Sequence, residues 1–228
     1  MNYRNPSRAS AIRHSILNWR FTLWLGTSFV LLALVLKVTS ELLENEIQHV
    51  DSRVLVWFVS LGRPWWTAAF VDVTALGSTT PVVIISLVAL SLLILCKDRI
   101  GALQLALTSA GAGLLTVLTK NFIERARPDE VSHLLEVNGF SYPSGHSLAS
   151  ASLYLAVALV TSRHLPTAVA RTVLFGFAIA IVSLVAASRL YLGVHYPSDV
   201  FSGVSLGASW ALLLAAAFSK LGNERSHA

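Results

Sequence analysis

The stretch Ile100–Lys120 reads IGALQLALTSAGAGLLTVLTK, twenty uncharged residues closed by a lysine. A bilayer's hydrocarbon core takes about 20 apolar residues of helix to cross, so this segment is a span and Lys120 marks its exit. Comparable runs lie at Phe21–Val38, Thr80–Cys96, Ser147–Ser162, Thr172–Arg189 and Asp199–Phe218. The shortest, Ser147–Ser162, spans only if its helix begins among Ser144–His146. The pattern predicts an all-α protein, a bundle of six transmembrane helices.

Composition agrees, because 54% of the 228 residues are hydrophobic and 13% charged, which is far from the balance of a soluble globule. The net charge of +5 does not point to nucleic acid, since the N-terminal basic residues flank a long apolar segment. That first segment is long and lacks a small-x-small cleavage site, so it reads as an uncleaved helix. The lone Cys96 excludes an internal disulfide or a cysteine-built metal site and reads as a small buried hydrophobe.

Orientation follows from Lys and Arg placement. With the N-terminus inside, Arg4, Arg8, Arg13, Arg20, Lys97, Arg99, Arg163, Arg171, Lys220 and Arg225 are cytoplasmic. The outer side holds Lys37, Arg53, Arg63, Lys120, Arg125, Arg127 and Arg189, several of which have another reason to be there. Residues 1–20 form a basic cytoplasmic N-terminus, 21–219 the membrane domain, and 220–228 a cytoplasmic tail. Residues 41–78 are too polar to span and too apolar for disorder. They predict one or two short helices at the outer interface, with Trp57, Trp65 and Trp66 at headgroup level, serving as a packed cap or as a lipid gate.

This topology brings the polar clusters of residues 120–199 to one face. Lys120, Arg127 and Arg189 supply three cations, suited to the non-bridging oxygens of a phosphoryl group. Arg125, by contrast, reads as a side chain snorkelling toward headgroups. Pro143-Ser144-Gly145-His146 opens a helix whose free N–H groups and positive dipole end favour an anion, and Gly145 admits it closely. His195 precedes Asp199 by four residues, so the carboxylate can fix the tautomer and leave the other ring nitrogen free to attack phosphorus. His146, among donors, fits a general acid and then a base. His14, His49, His133, His164 and His227 read as structural. His146, His195 and Asp199 could bind zinc by type, but the surrounding cations oppose a dication, so neither metal nor other cofactor is expected.

These residues resemble the type 2 phosphatidic acid phosphatase family, whose signature is Lys-x6-Arg-Pro, Pro-Ser-Gly-His and Ser-Arg-x5-His-x3-Asp. Here it reads Lys120 to Arg127-Pro128, Pro143-Ser144-Gly145-His146, and Ser188-Arg189, His195, Asp199, with every spacing intact. The likeness is greatest to bacterial membrane members of the phosphatidylglycerophosphatase B type. It implies His195 as nucleophile, Asp199 as its partner, His146 as acid and base, and phosphate binding by Lys120, Arg127, Ser144, Gly145 and Arg189. The implied substrate is a membrane lipid phosphate or diphosphate, such as undecaprenyl diphosphate, phosphatidylglycerol phosphate or phosphatidic acid. Outward-facing chemistry in a bacterial cytoplasmic membrane favours undecaprenyl diphosphate or a phosphoglycerolipid. A lipid phosphotransferase with the same intermediate, and a transporter or flippase, remain alternatives; the soluble haloperoxidases of the family fit poorly among spanning helices.

Overall fold

A computed structural model describes residues 6–224, without the side chains of residues 6–18, 64 and 220–224; the expectations for Arg4, Arg8, Arg13, His14, Arg225 and His227 lie outside these. Eight helices and no strands make up the described chain: α1 (Pro6–Leu43), α2 (Gln48–Ser60), α3 (Pro64–Ala75), α4 (Thr79–Leu95), α5 (Arg99–Ile123), α6 (Gly145–Thr161), α7 (Ala168–Tyr191) and α8 (Pro197–Glu224). Each apolar run of the sequence forms a helix, and residues 41–78 supply the two short ones.

The span count is less uniform than the sequence suggests. Four helices, α1, α5, α7 and α8, contain segments long and apolar enough to cross a membrane, and α3 with α4, bent by 47°, makes a fifth if counted as one broken span. Helix α6 has only 17 residues, about 25 Å of helix. It is also enclosed by others, packing on α4, α5, α7 and α8. Its buried face is built from Ser147, Ser150, Ala151, Ser152 and Ala156, small residues that let helix backbones approach closely.

Helix α8 answers in kind. A Cβ on Gly203 would stand 2.6 Å from the Ser144 carbonyl oxygen, so only glycine fits where α8 crosses the start of α6. Helix α1 packs along the other side of α8, where Ser28 Oγ donates to Ser209 O at 2.9 Å and Ser209 Oγ to Ser28 O at 3.0 Å. Side-chain hydrogen bonds of this kind hold helices together in lipid, where the hydrophobic effect offers no drive.

The outward faces are apolar. Val83, Ile84, Leu87 and Val88 on α4, Leu114 and Val117 on α5, and Phe177 and Ile179 on α7 are all exposed. In water such a belt would aggregate; against lipid it costs nothing. Cys96 is exposed as well, which corrects its buried reading: it caps α4 beside the exposed Ile94 and Leu95, where the helix ends on the bundle's periphery.

The two ends of α5 are fixed differently. Asp98 caps α5, accepting from Gly101 N at 2.7 Å. At the other end Glu124 adopts a left-handed conformation (φ 50°), and its N–H bonds Lys120 O, which stops the helix and turns residues 125–144 back over the bundle.

Candidate active site

The last turn of α5, the first turn of α6, the last turn of α7, the loop 192–196 and the first turn of α8 meet at one end of the bundle. There a cavity of about 610 Å³ is lined by Lys120, Arg127, Gly145, His146, Arg189 and His195. It continues past Ala112, Thr116 and Val117 of α5 and Val82 and Val83 of α4. Val83 and Val117 also face outward, so the cavity reaches the apolar belt.

Asp199 stands behind this wall with no exposure, and His195 is 2% exposed in front of it. His195 Nδ1 is 3.4 Å from Asp199 Oδ2 and 3.2 Å from Ser141 Oγ. The Ser141 hydroxyl donates to the same Oδ2 at 2.5 Å, and the Tyr196 N–H adds a bond at 2.9 Å. With acceptors facing Nδ1, the network assigns the ring proton there. Nε2 is left with its lone pair, 3.4 Å from Arg127 Nη1 and on the cavity wall.

Burial pushes the imidazole's pKa down to about 4; the Asp199 carboxylate opposes this shift, while Arg189 and Arg127 reinforce it. At neutral pH His195 is therefore uncharged, the form in which a ring nitrogen can attack an electrophile.

The cations are positioned by the backbone around them. Arg127 donates through Nε to Gly139 O at 3.0 Å, through Nη2 to Asn138 O at 3.1 Å and through Nη1 to Val194 O at 2.8 Å, clamping two loops. Lys120 Nζ donates to Phe140 O. Arg189 is 2% exposed; its Nη1 donates to Thr74 Oγ1 of α3 at 2.8 Å, whereas its Nε has no partner among the described residues. A buried guanidinium N–H beside a cavity is costly unless something in the cavity accepts from it.

Ser144 is placed differently. It is the N-cap of α6, but its hydroxyl accepts from Ser147 Oγ at 3.0 Å and it is fully buried, away from the cavity. Its N–H donates to Asp199 O at 3.0 Å, tying α6 to α8. Gly145 and His146, one and two residues on, do line the cavity.

Arg125 corrects the sequence reading. Far from snorkelling, its side chain is 7% exposed and joins two buried carboxylates, Nη1 to Asp199 Oδ1 at 2.6 Å and Nη2 to Asp51 Oδ2 at 2.7 Å. Its guanidinium carbon lies 4.0 Å from the centre of the Tyr196 ring. The reason is the turn at Glu124, which carries the next residue inward. Asp51, Ser141 and Thr74 were likewise not singled out by the sequence, since each contributes through partners more than 50 residues away. His133 and His164 are structural, bonding Pro128 O at 2.7 Å and Asp98 at 2.9 Å, and His49 is exposed.

Among the described residues no three His, Cys, Asp or Glu side chains gather as a metal site. The donor set at the cavity is instead cationic, matched to an anion.

A family model described as the PAP2 superfamily matches residues 101–223, which is more than half of the chain and includes Lys120, Arg127, Gly145, His146, Arg189, His195 and Asp199 but not the α2, α3 and α4 residues around the site. The chain belongs to the PAP2 superfamily. Among relatives, phosphatidylglycerophosphatase B of Bacillus subtilis (strain 168) is 33% identical over 167 residues, covering 72% of this chain and 80% of its own. Lipid A 1-phosphatase of Rhizobium johnstonii is 34% identical over 135 residues, 54% of this chain and 50% of the relative. The crystal structure of the transmembrane PAP2-type phosphatidylglycerolphosphate phosphatase from Bacillus subtilis superposes with a TM-score of 0.77 at 28% identity, covering 87% of this chain and 96% of the other. The PAP2 match accounts for the shared end of the bundle; the two named relatives act on different lipids.

Proposed function

We propose that this PAP2 protein hydrolyses a membrane lipid phosphate or diphosphate through a phosphohistidine on His195. The observation that carries the reading is the paired environment of that ring: Nδ1 against Asp199 and Ser141, Nε2 open to a cavity with Lys120, Arg127 and Arg189 on its walls.

In the first step Nε2 forms a bond to phosphorus while the bond to the leaving oxygen breaks. His146 protonates that oxygen. The imidazolium that develops on His195 is stabilised through Nδ1–H by Asp199. Charge on the non-bridging oxygens meets the three cations and the N–H groups opening α6 at Gly145 and His146. In the second step His146 takes a proton from water, whose oxygen attacks phosphorus, and the P–N bond breaks to return His195 and release phosphate. No step needs a metal. Ser144 acts by holding the start of α6 against α8 through its N–H bond to Asp199 O, so its part in phosphate binding is the positioning of Gly145 and His146.

The apolar passage between α4 and α5 supports a substrate arriving sideways from lipid. Of the candidate substrates, the Bacillus relative favours phosphatidylglycerol phosphate, with undecaprenyl diphosphate and phosphatidic acid as the others. Six spans follow if α4 and α6 cross despite their 17 residues each. Arg20, Lys97 and Arg163 share a second cavity at the ends of α4 and α6 and the start of α5, opposite the site. Their charge supports cytoplasmic termini and an active site on the periplasmic or extracellular side of a bacterial cytoplasmic membrane.

The test is phosphate release by purified protein from phosphatidylglycerol phosphate, undecaprenyl diphosphate, phosphatidic acid and a water-soluble ester, in EDTA, beside His195→Ala. Release that the mutation abolishes is expected, with inhibition by vanadate. Consumption of lipid phosphate without free phosphate would turn the reading to a transferase, and a dication requirement would defeat the metal-free mechanism.

A further inference from the structure

We infer that Arg125 is a positioning residue for the reaction, holding the Asp199 carboxylate in the orientation His195 requires and coupling it to helix α2; the inference rests on the reading of His195 as nucleophile. Asp199 presents two oxygens with separate duties. Oδ2 serves the ring side, taking Ser141 Oγ, the Tyr196 N–H and the proximity of His195 Nδ1. Oδ1 takes Arg125 Nη1. The torsion that turns a carboxylate about its own bond is soft, so holding Oδ1 as well narrows the range over which Oδ2 can turn from the ring.

Arg125 is itself held by a rigid fork. Nη2 donates to Asp51 Oδ2 at 2.7 Å and to Gln48 Oε1 at 3.3 Å, both on α2. Asp51 is 1% exposed, and its oxygens also receive the Ser198 N–H at 2.9 Å and the Ser198 hydroxyl at 2.5 Å, satisfying the first turn of α8. One guanidinium plane thus joins α2 to α8 directly behind the nucleophile. Lysine, a point charge without the planar fork, does not reproduce this pair of contacts.

Charge completes the argument. With His195 neutral, Asp51, Asp199 and Arg125 make a buried group of net charge −1. As the ring becomes an imidazolium the group is neutralised, an interaction gained in the transition state and absent in the ground state. The charge is Asp199's own and Arg125 contributes the direction in which it points, so loss of that hold weakens the interaction made in the transition state and lowers kcat with KM kept.

Arg125→Met alone leaves two buried carboxylates unpaired and risks the fold. The informative variant is Arg125→Met with Asp51→Asn, which restores the net charge of −1 and keeps an acceptor for Ser198. Thermal unfolding and vanadate binding report whether the double variant is folded with its phosphate site intact. The expected result is wild-type vanadate affinity, an unchanged KM and a kcat lower by about 10²-fold, less than the ~10⁴-fold of losing the orienting carboxylate itself. Arg125→Lys keeps the charge in the single site and is expected to lose kcat with KM unchanged. If the double variant is folded with wild-type kcat, or fails to fold while Arg125→Lys has wild-type kcat, the positioning role is wrong; a loss confined to KM in either is equally against it. His195→Ala assayed alongside separates the two claims, since activity surviving that change removes the phosphohistidine reading whatever the Arg125 variants do.

Discussion

Gly203→Ala places a single methyl group where α8 crosses the N-terminus of α6. The new Cβ would lie 2.6 Å from Ser144 O and 3.0 Å from Ser147 Cβ, against an ordinary contact distance of at least 3.4 Å, so the helices must part by about 0.8 Å. The carbonyl has little freedom to swing aside, because Ser144 O already accepts the Leu148 N–H at 3.0 Å, while Ser144 N is bonded to Asp199 O at 3.0 Å. Overpacking of this kind costs about 1–3 kcal/mol. The displaced groups are the two halves of the proposed chemistry, His146 on α6 and Asp199 with His195 on the α8 side. A misplacement of about 1 Å between reacting groups costs about 10²-fold in rate, so kcat should fall by several tens of fold. Gly176→Ala on α7, where a Cβ meets nothing within 4 Å, is the control and should leave kcat unchanged while raising the thermal midpoint slightly. The assay is steady-state phosphate release with thermal unfolding of the same preparations. Wild-type kcat and midpoint in Gly203→Ala would refute the close crossing as the element that aligns the two histidines.

Asp199→Asn should lower kcat by about 10⁴-fold at nearly constant KM, since it removes the charge that the imidazolium needs and invites the wrong tautomer; a change of less than tenfold in steady-state assays would count against the orienting role. Acid should also weaken the fold through His195. Its native pKa of about 4 lies below the ordinary 6.5, so between these values the unfolded chain binds the extra proton. The stability that the neutral buried ring allows is present in full above pH 6.5 and is lost as pH falls toward 4. The difference in thermal midpoint between wild type and His195→Gln should shift steadily against the wild type over that window, and a difference independent of pH would show that the ring is not held neutral.

Some of this protein was legible one residue at a time. The hydrophobic runs, the short helices of residues 41–78 and the intact spacings from Lys120 to Asp199 are local properties. Backbone groups in lipid must be satisfied within their own helix, so an uncharged run as long as Ile100–Thr119 has few other structures available. The convergence of helix ends then followed from alternating direction, and it brought Lys120, His146, Arg189 and His195 to one cavity. The span count was harder, because α6 is short and sheltered by its neighbours rather than by lipid.

What the chain could not disclose by itself is which polar side chain meets which. Arg125 looked like one more cation near a membrane surface; its partners Asp51 and Asp199 lie 74 residues away on either side, and only the packing of α2 against α8 brings both to it. Ser144 and Gly145 are adjacent in the motif, yet one turns into the protein and the other faces the cavity, a division set by where α8 crosses α6. Helices and the types of chemistry are written in short-range pattern, whereas the pairing of buried charges depends on distances between elements, which have no signature in any single segment. The sequence by itself therefore determined a membrane-bound helical protein with histidine, carboxylate and cations on one face, and the tertiary structure decided how the carboxylate behind His195 is held.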